Sequence, residues 1–248
     1  MDADRRAGIV AGAMFLAADA AGFASCIARP ILGAPNLLAA VAGSEATVLV
    51  TALLVFIMGW ADAGIGIAMY PVLRRHGEGV AFGAAGFRLL DGAFHGTAAL
   101  LLLVLVGVSR MAAAADPGAA AQLRVLGSAV LAGHSLAGSV AGLMAWCVGA
   151  ALYYARFYRT RLVPRWLSVW GLAGIVPTMT AIMLVLFRVL DGGNAVHTAL
   201  NLPLALQEIV LAVWLIARGF ARPVGGAAQG DAAQGSAARG SAAQGSAA

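Results

Sequence analysis

The chain contains no lysine; all 16 of its basic residues are arginine. With abundant alanine and glycine, this points to the coding bias of a GC-rich bacterial genome, not to a function. Charge of either sign is scarce, at 11% of 248 residues, where a soluble domain carries about 25%. Two cysteines exclude a disulfide-built scaffold, and no cysteine–histidine spacing fits structural zinc. Cys26 and Cys147 fall at different depths in the helix map below and are expected to be free thiols. A dinucleotide fingerprint, a P-loop and a metalloprotease helix are all missing. So is enough polar sequence to cover a soluble core: 61% of residues are hydrophobic and mean hydropathy is +0.88. The solvent of such a chain is largely lipid.

What the chain has instead is six long apolar runs. They predict an all-α integral membrane bundle of six transmembrane helices over 1–222, followed by a disordered tail over 223–248. The spans fall at about 8–28, 44–73, 80–108, 122–154, 165–190 and 195–218, each long enough to cross a bilayer. The first follows Arg5 and Arg6 and lacks a clear cleavage site, so it reads as a retained span. Ser44 is the expected N-cap of the second, and ARPILGAPN before it reads as a loop. The tail repeats AAQGS-like units with no apolar face to bury.

The net charge of +5 and pI near 10.0 do not imply nucleic acid, because the arginines sit at the ends of apolar runs. That placement suits a lipid bilayer with anionic headgroups. Six spans put both termini on one side. Arg5, Arg6, Arg74, Arg75, Arg156, Arg159, Arg161, Arg165, Arg218 and Arg222 share it, against Arg29, Arg110, Arg124 and Arg188 opposite. The bias predicts a bacterial cytoplasmic membrane with both termini cytoplasmic. Tyr153 to Gly171, YYARFYRTRLVPRWLSVWG, has the aromatics and arginines of a membrane surface. Gly8 and Gly12, Gly92 and Gly96, and Gly138 and Gly142 offer small-residue faces for close helix packing. A homo-oligomer stays open.

Ionisable groups at membrane depth must meet protein or water. FRLLDGAFHG, Phe87 to Gly96, puts Arg88, Asp91 and His95 on one helical face. At 1.5 Å per residue, Asp62 and Asp91 fall within about 5 Å of the midplane and Arg88 about 9 Å to one side. Arg88 is long enough to bridge both carboxylates. Asp19 lies near the middle of the first span, either paired or protonated. His95 and His134 stand on sequential spans, where they can relay protons or ligate a b-type haem, or can be two separate structural histidines. No other cofactor is implied. Glu208 and Asn201 flank Pro203, as in ion sites built on broken helices. Pro177 should free a carbonyl that Thr178 and Thr180 can satisfy. Ser135 does not form a hydrolase elbow, because Ala137 stands where glycine is needed.

Three motifs together, YPVLRRHGE, YYARFYRTRLVPRWLSVWG and NLPLALQEIVLAVWLIARGF, resemble the bacterial membrane family called domain of unknown function 4386. The order and spacing agree over roughly residues 6 to 221. The resemblance implies a polytopic membrane protein and carries over no catalytic residue. The expected function is binding or transport of a small molecule or ion through Asp62, Arg88, Asp91, His95, His134, Asn201 and Glu208. The alternatives are a membrane enzyme or electron carrier using His95 and His134, and a structural or regulatory subunit.

Overall fold

The structure, a computed structural model, describes residues 3–190 and 195–221. The expected tail and Asp191, three residues after Arg188, lie outside the described residues. Among the described residues there is no strand, and six helices are long and apolar enough to cross a membrane.

Helix α1, Ala3–Ser25, runs through a 3-10 turn, Cys26–Ala28, into the short α2, Arg29–Leu32. The expected loop is therefore half helical. Pro30 sits in the first turn of α2, where its missing N–H costs nothing. A further short helix, α3 (Leu37–Gly43), buries Leu38 and Val41, and Ser109 donates to the Leu38 carbonyl at 2.7 Å. Helix α4, Glu45–Leu73, is not capped by the Ser44 side chain. Glu45 in its first turn favours the positive helix end and pairs with Arg110 of α5, Glu78–Ala113.

Between α4 and α5 the chain turns at Gly77, whose φ is 146°. A side chain there would be strained, so the backbone demands glycine, and the flexible Arg156 guanidinium would have to swing aside. The Asp116-Pro117-Gly118 turn is the start of α6, Pro117–Ser135. Asp116 accepts from the N–H groups of Gly118 and Ala119, with Pro117 in the first turn. Helix α6 passes through a π-helix, Leu136–Gly142, into α7, Leu143–Thr160. Together they form one 44-residue span. Helix α8 is Arg165–Leu186 and α9 is Ala195–Ala217. The fifth span ends at Leu186, short of Leu190, and Arg188 beyond it has a φ of 58°.

The six spans close into a ring: α1 packs on α4, α4 on α5, α5 on α7, α7 on α8, α8 on α9, and α9 on α1. Small residues permit the tightest approaches. A Cβ on Gly92 would lie 2.5 Å from the Gly59 carbonyl oxygen, and one on Gly12 would lie 2.7 Å from that of Ala212. Gly96, by contrast, meets only Phe56, at 3.9 Å, and takes no part in the close contact. Arg5 fans onto the carbonyls of Leu215, Ile216 and Ala217, giving the negative end of α9 a cation and donors. This contact puts the described start and end of the chain at the same end of the bundle.

Candidate functional site

Helix α5 buries Ala81, Ala84, Arg88, Asp91, His95 and Ala98, a stripe at spacings of three and four. Arg88 on this stripe has no exposed surface. Its Nη1 donates to Asp62 Oδ1 at 2.7 Å and lies 3.9 Å from Asp91 Oδ2. The bridge expected from depth alone is thus present. Its Nη2 donates to Tyr153 Oη at 2.9 Å and Glu208 Oε1 at 3.0 Å. Three aromatic rings surround the guanidinium, with Trp146, Phe15 and Tyr153 centred 5.2, 5.3 and 5.5 Å from its carbon. Such desolvated contacts are worth about 2 kcal/mol or more. One side chain of α5 thus touches α1, α4, α7 and α9.

Glu208 joins this cluster, whereas Asn201 does not. Asn201 donates to the His197 carbonyl at 2.8 Å on its own helix, two turns from Glu208. Pro203 lies between them and α9 continues through it. The physical reason is the amide's short reach: a donor beside a proline is most easily satisfied by the preceding turn. Asp19, expected to be paired or protonated, is not among the carboxylates that pair with Arg88, which are Asp62, Asp91 and Glu208. Its buried Oδ2 has no hydrogen-bond partner.

Tyr153 and Tyr154 correct the surface reading of the arginine–aromatic stretch. Both are fully buried. With Trp146, Ala150 and Phe157 they form the inward face of α7, a period of three and four visible in the sequence. Tyr154 donates to Gln207 Oε1, and Gln207 Nε2 donates to the Leu167 carbonyl at 3.0 Å, tying α7, α9 and α8 together. Aromatics that remain at the surface are Tyr158 and Trp166.

His95 Nδ1 stands 2.9 Å from Asp91 Oδ1 and 3.2 Å from the Asp91 carbonyl oxygen. The hydrogen-bond geometry is met at the carbonyl, so both oxygens of the fully buried Asp91 carboxylate lack a hydrogen bond. Asp62, Asp91 and His95 bring one donor atom each within 4.8 Å of one another, a spacing able to hold a cation. The His95 ring lies against the π-helix. A Cβ on Gly142 would sit 3.0 Å from its Cε1 and one on Gly138 3.9 Å from its Cδ2. His134 Nδ1 bonds the Ala98 carbonyl at 2.9 Å. Through Nδ1, His95 thus meets Asp91 on its own helix and His134 meets the Ala98 carbonyl. In α8, Thr180 donates to Val176 and Thr178 Oγ1 has no partner. Neither reaches the Ala173 carbonyl that Pro177 frees.

The family model described as Domain of unknown function (DUF4386) matches residues 10–219. The chain belongs to this family. No curated protein and no solved structure matches it. The DUF4386 region contains the whole buried cluster, from Phe15 and Asp19 on α1 to Glu208 on α9.

Proposed function

We propose that this DUF4386 protein binds a small cation inside the bundle and passes it across the membrane. One observation carries the reading. Three carboxyl groups, those of Asp62, Asp91 and Glu208, pair with a single guanidinium. Ionised, they leave the cluster at −2, or −1 with a charged His95. Unbalanced charge in a low-dielectric interior is costly and calls for a counter-cation or protons. The unbonded Asp91 oxygens and the Asp62–Asp91–His95 spacing offer the place for one. The π-helix against His95 supports the reading too, since such irregular turns recur at functional sites. We also place the arginine-rich end in the bacterial cytoplasm, on the strength of the arginine bias.

Sealing favours a second reading. Asp62, His95 and Glu208 retain only 6–8% exposure and Arg88 none. A closed cluster of this kind can act as a lock that fixes helix register. Uptake by proteoliposomes separates the two. Full-length protein facing inward gradients of H⁺, Na⁺, Mn²⁺ or Zn²⁺ is expected to pass one of them above the rate of empty vesicles. Glu208→Gln and Asp62→Asn are expected to remove that flux while remaining folded. Rates equal to empty vesicles for all four ions would leave the lock.

A further inference from the structure

A second polar feature lies away from the buried cluster, at the arginine-rich end of the bundle. The α7–α8 connection and the end of α9 border an open pocket of about 460 Å³, within the usual range of small-ligand sites, about 300–1,000 Å³. Arg161, Arg165 and Arg218 line it, and no acidic side chain does among the described residues. Each of the three is exposed, and none forms an ion pair with a described carboxylate. Two are held by aromatic rings instead. Arg165 lies 5.1 Å from the Tyr158 ring and Arg218 5.8 Å from the Trp214 ring. Stacking uses the face of a guanidinium and leaves its N–H edge free for an anion.

The backbone there is held in place. Arg161 closes α7 with a φ of 56°, a left-handed conformation that costs a non-glycine residue energy. The Ala221 N–H donates to the Leu162 carbonyl at 2.8 Å, pinning the end of the described chain across the loop. Beside the arginines, an open groove of about 290 Å³ runs along the surface of α9 itself, past Ile209, Val210, Val213 and Ala217. It shares Trp214 and Arg218 with the first. Its walls are otherwise apolar and lie toward bilayer depth, whereas Tyr158, Trp166 and Trp214 mark headgroup level. Three arginines on a largely apolar groove that continues onto an apolar helix surface match one kind of molecule in shape and charge.

We propose that this double hollow is a binding site for an anionic phospholipid. Its phosphate sits among Arg161, Arg165 and Arg218, and one acyl chain lies along the α9 trough. Bidentate guanidinium contacts suit phosphate oxygens. A zwitterionic lipid brings its own cation into a basket that already has three, and is disfavoured.

Native mass spectrometry of the full-length protein, with equal amounts of phosphatidylglycerol and phosphatidylcholine, reads the preference directly. One phosphatidylglycerol is expected to be retained in preference to phosphatidylcholine. Each arginine removed should weaken retention about fivefold, and two about thirtyfold. Arg161→Gly is the informative variant. Glycine accepts the positive φ, so folding is maintained or improved while retention falls. Arg218→Gln should behave alike through an independent helix. Equal retention of the two lipids, or unchanged retention in both variants, overturns the proposal. Inorganic phosphate that displaces the lipid as well as added phosphatidylglycerol does would overturn it too, since the trough would then contribute nothing.

Discussion

Removing the Arg88 guanidinium would leave the Asp62, Asp91 and Glu208 carboxyl groups without the cation that joins them. Arg88→Met is therefore expected to destabilise the protein by about 3–5 kcal/mol, the cost of breaking a buried ion pair. Thermal unfolding in detergent micelles checks this. Pairing it with Asp62→Asn and Glu208→Gln should restore part of the loss, because two charges disappear together with their partner. If the triple variant is no more stable than Arg88→Met, the charges are not coupled through Arg88. Arg88→Lys should fail as well. An ammonium lacks the planar fork that reaches Asp62, Tyr153 and Glu208 at once and lies among three rings. The Asp62–Arg88–Asp91 bridge was legible from depth in the sequence because two helices joined by a short turn must be neighbours. Glu208 was not placed there, since nothing in a linear chain says that the sixth span returns beside the first.

The π-helix opposite His95 is the element on which the site's geometry depends most. Gly138 and Gly142 have no side chains to fill the space that the imidazole occupies. Gly142→Ala is expected to force His95 off Asp91, because its methyl would stand 3.0 Å from the ring Cε1. The nitrogen resonances of labelled His95 should shift, and stability should fall by about 1–3 kcal/mol, the usual cost of overpacking. Unchanged resonances would show that the π turn absorbs the methyl without involving the ring. Gly96→Ala provides the control, since its new methyl would meet only Phe56 at ordinary contact distance. The glycines announced close packing in the sequence. They did not announce a π turn, which depends on tertiary contacts more than on local propensity. Tyr153 and Tyr154 teach the same lesson: beside four arginines they looked superficial, and only their spacing with Trp146, Ala150 and Phe157 assigned them inward.

At the scale of the molecule, the six spans form a closed ring whose centre is polar and whose outer wall is apolar. Hydropathy revealed the spans readily, because crossing a bilayer imposes length and composition on each segment. Ring order is harder to read, since lipid-facing and helix-facing apolar residues look alike. Arg5 clasping the last turn of α9 predicts that the first and last helices work as one unit. Arg5→Ala should lower the unfolding temperature, and protease should cut at the α9 end sooner, while the cluster around Arg88 stays intact.

The central claim is that the acid-rich core takes up a cation. Equilibrium binding to the purified full-length protein in lipid nanodiscs tests it most directly, with Na⁺, Mn²⁺ and Zn²⁺ titrated separately and proton exchange recorded in parallel. One cation per chain, or protons exchanged in its place, is expected for the wild type, with binding at least about tenfold weaker in folded Asp62→Asn/Asp91→Asn. Wild type and variant that bind no cation and exchange the same number of protons would contradict it.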